Sequence, residues 1–353
     1  MDAEEWLPDG YYLHTRDYAE ECWQRGDTSV TYREFSLGTT HSRAFVAVIP
    51  GGRVWGQAGC VITPNRRLLW DVSREWSDNP STHSVFQASR LGPPSRVPGR
   101  VAVLTKIGSH NYFHWMYDVL PRLHLIQQSG IAIDRYVISA RPAPFQLETL
   151  AALGVRPENL LEADEDFHVQ ADSLVVPALP MEEQWVCDFL RQAFLPRASD
   201  GIHGDRLYIS RRACAGRRVV NEAAVLSLLQ RYGFRTIQPE LMTVAEQVDA
   251  FASARVIAGP QGAAFTNITF CKPGTTVIEW MCPTFFIATT ELICYKVRLR
   301  YHRLMAQSRH NPTVPQDPYW SGWDNIFVDL VQLQRALNLA GVTPRPSRNS
   351  REA

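Results

Sequence analysis

From Val101 to Trp280 the chain alternates short apolar runs with segments of helical periodicity, and few folds accommodate that rhythm. Val101 to Thr105, Tyr136 to Ser139 and Ser173 to Val176 read as strands, while His110 to Gln128, Phe145 to Leu153 and Glu182 to Phe194 read as helices. In the last of these, Trp185, Phe189 and Phe194 have core-facing spacing. The rhythm pauses at Pro196 to Asp205, which carries Pro, Ser, Asp and two Gly, and then restarts. Strands are expected at Arg206 to Ser210, Phe234 to Ile237, Arg255 to Ala258 and Thr275 to Trp280, and helices at Asn221 to Tyr232, Val244 to Ala254 and up to Phe270. This alternation predicts an α/β fold with parallel sheets that receive ligands at the carboxyl ends of their strands.

A chain of 353 residues exceeds one ordinary core, so the pause is read as a domain boundary. The expected division is 1–195, 206–340 and a flexible tail at 341–353. Within the first lobe, short β-like runs and Pro/Gly turns before residue 100 suggest a small antiparallel entry region. The stretch Leu91 to Arg100 would separate it from a βα lobe at 101–195.

Lys+Arg and Asp+Glu are equal at 36 each, and no basic tail stands out, which argues against a nucleic-acid partner. The acidic start MDAEEWLPDGYY lacks the order of a secretory signal, and no run of about 18 apolar residues occurs. A cytoplasmic protein without a transmembrane segment is expected, with peripheral membrane association left open. Seven dispersed cysteines without a CxxC pair predict reduced core thiols.

Three constellations carry chemistry. In HNYFHWMYDVLPRL (110–123), helical spacing puts Asn111, His114 and Asp118 on one face, with His110 one turn before His114. A carboxylate beside an imidazole equips a cleft for general-base catalysis. Two other uses fit the same residues: a buried helix-stabilising pair, or a metal site on His110, His114 and Asp118, although ligands spread over two turns splay too far to close on one ion unaided. Trp115 and Tyr117 are candidates for sugar stacking or for helix packing.

The second constellation, RLYISRRACAGRRVVNE (206–222), sends four arginines out of a strand end, and guanidinium forks match phosphate oxygens. Arg211 and Arg217 are the expected phosphate ligands, and Asn221 has the position of a helix N-cap. The third, VIAGPQGAAFTNITF (256–270), makes a strand-to-helix turn at Gly259 and Gly262. N–H groups of Gly262, Ala263 and Ala264 at the positive helix end suit a diphosphate, and the alternative use of the same small residues is simply a close-packed βα unit. Glu279, ending the next strand, is a candidate for ribose hydroxyls. Asn267-Ile268-Thr269 matches a glycosylation sequon inside the expected helix and is discounted.

In this order the three motifs, from about His110 to Glu279, resemble glycosyltransferase family 61. The resemblance implies two Rossmann-like lobes facing a cleft, the GT-B architecture, here with a small β-rich N-terminal extension. It implies an inverting hexosyl- or pentosyltransferase with an acceptor-side first lobe and a nucleotide-sugar-binding second lobe. The donor would be a nucleotide diphosphate sugar, commonly UDP-linked, with no metal and no other cofactor. The acceptor would be a glycan or small molecule, placing the protein in bacterial polysaccharide or metabolite glycosylation. The family's catalytic base falls on Asp118 with His114 beside it, and its donor-binding residues on Arg211, Arg217, Asn221 and Glu279. Asn111, His110 and Trp115 fall on the acceptor side. Gln261 stands where the family usually has histidine; it still donates a hydrogen bond, but it passes no proton. That difference motivates a rival, a non-catalytic nucleotide-sugar-binding protein. A metal-dependent hydrolase or oxygenase on His110, His114 and Asp118 is the other.

Overall fold

The computed structural model describes residues 12–38, 43–88, 91–180, 183–197, 204–313 and 322–345. The chain divides into two compact units, Met1–Phe189 and Leu190–Ala353.

In the first unit, ten strands share one sheet. They are β1 (Tyr12–Leu13), β2 (Thr31–Phe35), β3 (Ala44–Pro50), β4 (Arg53–Trp55), β5 (Cys60–Ile62), β6 (Leu68–Leu69), β7 (Ser95–Val103), β8 (Arg135–Ser139), β9 (Leu160–Ala163) and β10 (His168–Pro177). Parallel pairing runs through β10-β7-β8-β9. β3 and β4 pair antiparallel with β10, so the entry region is woven into the same sheet and is not a separate piece.

The expected break at Leu91 to Arg100 is corrected accordingly, because Ser95 to Arg100 is the first part of β7. Its Pro-Gly pair marks a bulge. The register against β10 shifts between Ala171 and Ser173, and Gly99 takes φ +82° there while its N–H donates to Asp172.

The helix expected over His110 to Gln128 starts later and has three parts: an α-turn at Tyr112–His114, a π-helical segment at Trp115–Val119, and an α-helix at Leu120–Ser129 closed by Gly130. Pro121 explains the break. Lacking an N–H, it cannot bond one turn back, and the backbone before it widens into the π-turn.

The second unit holds β11 (Arg206–Ile209), β12 (Arg235–Ile237), β13 (Val256–Pro260), β14 (Thr276–Met281) and β15 (Arg300–Met305), all parallel, in the order β12-β11-β13-β14-β15. Every residue of β13 and β14 is buried, as expected for central strands covered on both faces. Helices Glu222–Arg231, Val244–Ser253, Thr289–Val297 and Leu330–Leu339 accompany the sheet, and the segment Ala263–Phe270 is a 3-10 helix, not the expected α-helix. In the core, Tyr208 stacks on Trp280 at 5.3 Å, within a cluster that includes Leu229, Leu333, Leu337 and Val342.

The expected tail is ordered for its first residues. Val342 is buried and Arg345 pairs with Asp205, while 346–353 lie outside the described residues, as do 198–203 of the expected linker. None of the seven cysteines is in a disulfide, and six of them are buried. Among the described residues, no helix is long and apolar enough to cross a membrane.

Because Leu337 is fully buried in the second core, Leu337→Ala is expected to destabilise that unit by about 2–5 kcal/mol. Urea denaturation of the two proteins checks this.

Candidate functional site

Each unit gathers one polar constellation at the ends of parallel strands. In the first unit, Asp118 lies within the π-turn and is 8% exposed. Its Oδ2 accepts from Lys106 Nζ at 2.6 Å and faces His114 Nδ1 at 2.8 Å. Lys106 sits three residues beyond β7, in a loop tied by Ser109 Oγ to the Lys106 carbonyl and to the hydroxyls of Thr105 and Ser139. The His114 ring packs against Trp76 at 5.5 Å and Phe113 at 5.3 Å, which limits its rotation.

Beneath this group lies Arg122, with no exposed surface. Its guanidinium donates to the carbonyls of Leu104 and Thr105, just past β7, and to that of Pro177 at the end of β10. Burial pulls Arg122 down to about 9, while the negative charge of Asp118 opposes that shift, so it remains a cation at neutral pH.

In the second unit, the strand order places β11 beside β13 with β12 on the other side of β11, the switch point where open parallel sheets take their ligands. Arg211 leaves β11 here, and its Nε and Nη2 donate to the Gly216 carbonyl at 3.2 and 3.0 Å. Its Nη1 lies against Gly262, where a Cβ would collide with it. Gly262 is extended, at φ 176°, so close approach and not an unusual dihedral requires glycine.

Arg217 reaches the same turn from the other side of the loop. Its Nε donates to Gln261 O at 3.1 Å, its Nη1 to Gly322 O at 2.9 Å, and its guanidinium lies 4.5 Å from the Phe285 ring centre. The residue occupies φ +55°, a left-handed conformation that costs a non-glycine residue energy and that these contacts hold in place. Burial first and the like charge of Arg211 next pull Arg217 down to about 10. Burial also lowers Arg211. Among the described residues, neither guanidinium has a carboxylate partner. The N–H groups of Gly262, Ala263 and Ala264, all partly exposed, donate to no described residue.

Several expected residues have other tasks. Asn221 neither caps its helix with its side chain nor is free for a ligand, because it exchanges two hydrogen bonds with the backbone of Val328. Glu279 is fully buried, which raises it against the opposing hydrogen bonds it accepts from Thr290 at 2.6 Å and Tyr301 at 2.7 Å, and with these partners its oxygens are not offered to a ribose. Gln261 gives its side-chain N–H to Ile287 O at 2.9 Å. Trp115 is wholly buried with its indole N–H on Thr149, which removes it as a stacking surface. Asn111 caps the first helical turn through Phe113 N–H, and His110 is exposed on the turn before it. Among the described residues, no three His, Cys, Asp or Glu side chains converge to hold a metal ion.

Lys106, Arg122 and Glu222 were not singled out by sequence reasoning. Glu222 accepts from Tyr208, Ser210 and Arg212 and so fastens the start of the arginine loop to β11. A glutamate at the first helical position was the available signal for it. Nothing in the spacing pointed to Lys106, twelve residues from Asp118 across a loop.

Residues 112–278 match the glycosyltransferase 61 family. The match spans the helix bearing His114 and Asp118, the arginine loop and the Gly262 turn, and it supports a glycosyltransferase with donor and acceptor substrates. No curated protein matches the chain.

Arg122→Met would leave three strand-end carbonyls without their donor. Since a buried unsatisfied group costs about 1–3 kcal/mol, the first unit should lose stability by at least that much, read as a lower thermal midpoint.

Proposed function

We propose that the protein is an inverting, GT-B-type glycosyltransferase that moves a sugar from a nucleotide diphosphate sugar, probed first as the UDP-linked form, to a hydroxyl of a glycan or small-molecule acceptor. The observation that carries this reading is the pair Arg211 and Arg217. Two half-buried guanidiniums repel each other beside N–H groups that donate to no described residue, and among the described residues neither has a carboxylate partner. A diphosphate relieves that repulsion and accepts the free donors. Partly desolvated cations of this kind stabilise charge as it develops on the leaving oxygen, so the reading requires no metal.

The reaction is one displacement. The acceptor hydroxyl loses its proton to a base and its oxygen bonds to the anomeric carbon. The bond from that carbon to the β-phosphate oxygen breaks, and its electron pair leaves on the diphosphate. The family resemblance supports Asp118 as that base. A second reading follows from the hydrogen bonds: Oδ2 of Asp118 is shared by Lys106 and His114, and the bond to Nδ1 leaves Nε2 of His114 to take the proton. Asp118 would then orient the ring and stabilise the imidazolium, as carboxylates do in other base-assisted sites. Gln261 is not asked to pass a proton in either version. A cytoplasmic bacterial enzyme acting in polysaccharide assembly is the setting consistent with this reading.

Arg211→Ala is expected to weaken UDP binding at least tenfold by calorimetry. Gly262→Ala should do the same, because its methyl group displaces Arg211; unchanged affinity in both would refute the phosphate assignment. Asp118→Asn should keep UDP affinity and lose about 10²-fold or more in transfer. His114→Gln separates the two bases: a comparable loss puts the proton on Nε2, and activity above a tenth of wild type puts it on Asp118.

A further inference from the structure

Trp76 is a large apolar side chain left 67% exposed. Its chain segment is nevertheless held firmly on both sides. Glu75 accepts the Ser84 N–H at 2.9 Å, Asn79 accepts the Ser81 N–H at 3.1 Å, and Thr82 donates to Ser77 at 2.9 Å. The indole is seated against the His114 ring at 5.5 Å and an interplanar angle of 57°. Gly108 makes this seat, since a Cβ there would come within 2.9 Å of the indole edge and 3.1 Å of the His114 ring. Its φ of +79° also favours glycine. A fixed, exposed indole therefore adjoins the imidazole that is bonded to Asp118.

From this placement we propose that Trp76 is the floor of an acceptor subsite that takes a neutral pyranose by its apolar C–H face. The proposal rests on the transferase reading and names the acceptor class for it. An aromatic ring offers a sugar ring broad contact at little entropic cost, and it leaves the sugar's hydroxyls at the rim. Exposed His110 and Asn111, which follow closely after Gly108, would supply polar groups there. Charge favours a neutral ligand over a nucleotide, because Lys106 is paired with Asp118 at 2.6 Å and Arg74 with Asp78 at 3.6 Å. Trp76 also lies outside the stretch matched to the family.

Saturation-transfer NMR on the full chain tests this, with methyl β-D-glucopyranoside, methyl β-D-galactopyranoside, methyl β-D-xylopyranoside and, as the nucleobase arm, uridine. At least one pyranoside should show enhanced ring C–H signals that fall fivefold or more in Trp76→Ala and return in Trp76→Phe. The thermal midpoint should stay within a few degrees, and Trp76→Gln replaces the alanine variant if it does not. If no pyranoside signal depends on Trp76, or if uridine alone does, the subsite is overturned. No donor and no turnover enter this measurement, so its failure is distinct from a failure of UDP calorimetry on Arg211→Ala, which bears on the transferase reading alone.

Discussion

Parallel pairing of β11 with β13 is the constraint on which the second unit's chemistry depends. The two strands approach so closely that a Cβ on Gly259 would come within 2.9 Å of the Ile209 carbonyl. That proximity brings the loop after β11 and the turn after β13 to the same edge of the sheet. Arg211 and Arg217, six residues apart in sequence, can then address one turn from two sides. Holding two like charges in a half-buried site is unfavourable unless something offsets it. Backbone carbonyls of Gly216, Gln261 and Gly322 offset part of the cost. The proposed diphosphate would offset more of it.

The first unit solves the opposite electrostatic problem. Asp118 is nearly buried, and a solitary carboxylate in such a place would be costly. Lys106 supplies the countercharge, and Arg122 below contributes a second favourable field. Both cations depend on β7: one projects just beyond its end, and the other binds the carbonyls between. Pro121 widens the backbone into a π-turn at the residue that bears the carboxylate. A local defect in hydrogen bonding thus coincides with the group proposed for proton transfer, a recurrent use of such turns.

Much of the fold could be read from periodicity because strand and helix signals are local. Arg206–Ile209, Val256–Pro260 and Thr276–Met281 are apolar runs bounded by turn residues, and each lies within a residue or two of its expectation. Pro98-Gly99 misled because the pair that punctuates a linker also permits a bulge within a strand, and only the partner strand distinguishes the two. The site residues divided on similar grounds. His114 and Asp118 meet within one helical repeat, so their contact was visible in spacing. Asn221 and Glu279 had the right residue type at strand and helix ends, but Val328, Thr290 and Tyr301 had already engaged them.

The sequence by itself determined the alternating α/β pattern, the arginine loop, the glycine turn and the histidine-aspartate pair, since each depends on residues close in the chain. Tertiary structure alone decided which polar groups remain available. Lys106 reaches Asp118 over a loop, Arg122 disappears beneath it, Trp115 turns into the core, and Trp76 stays outside against His114. The physical reason is that burial and hydrogen-bond partnership are set by neighbours distant in sequence. A side chain's type states what chemistry it can do, and only its surroundings determine whether any of that capacity is left for a ligand.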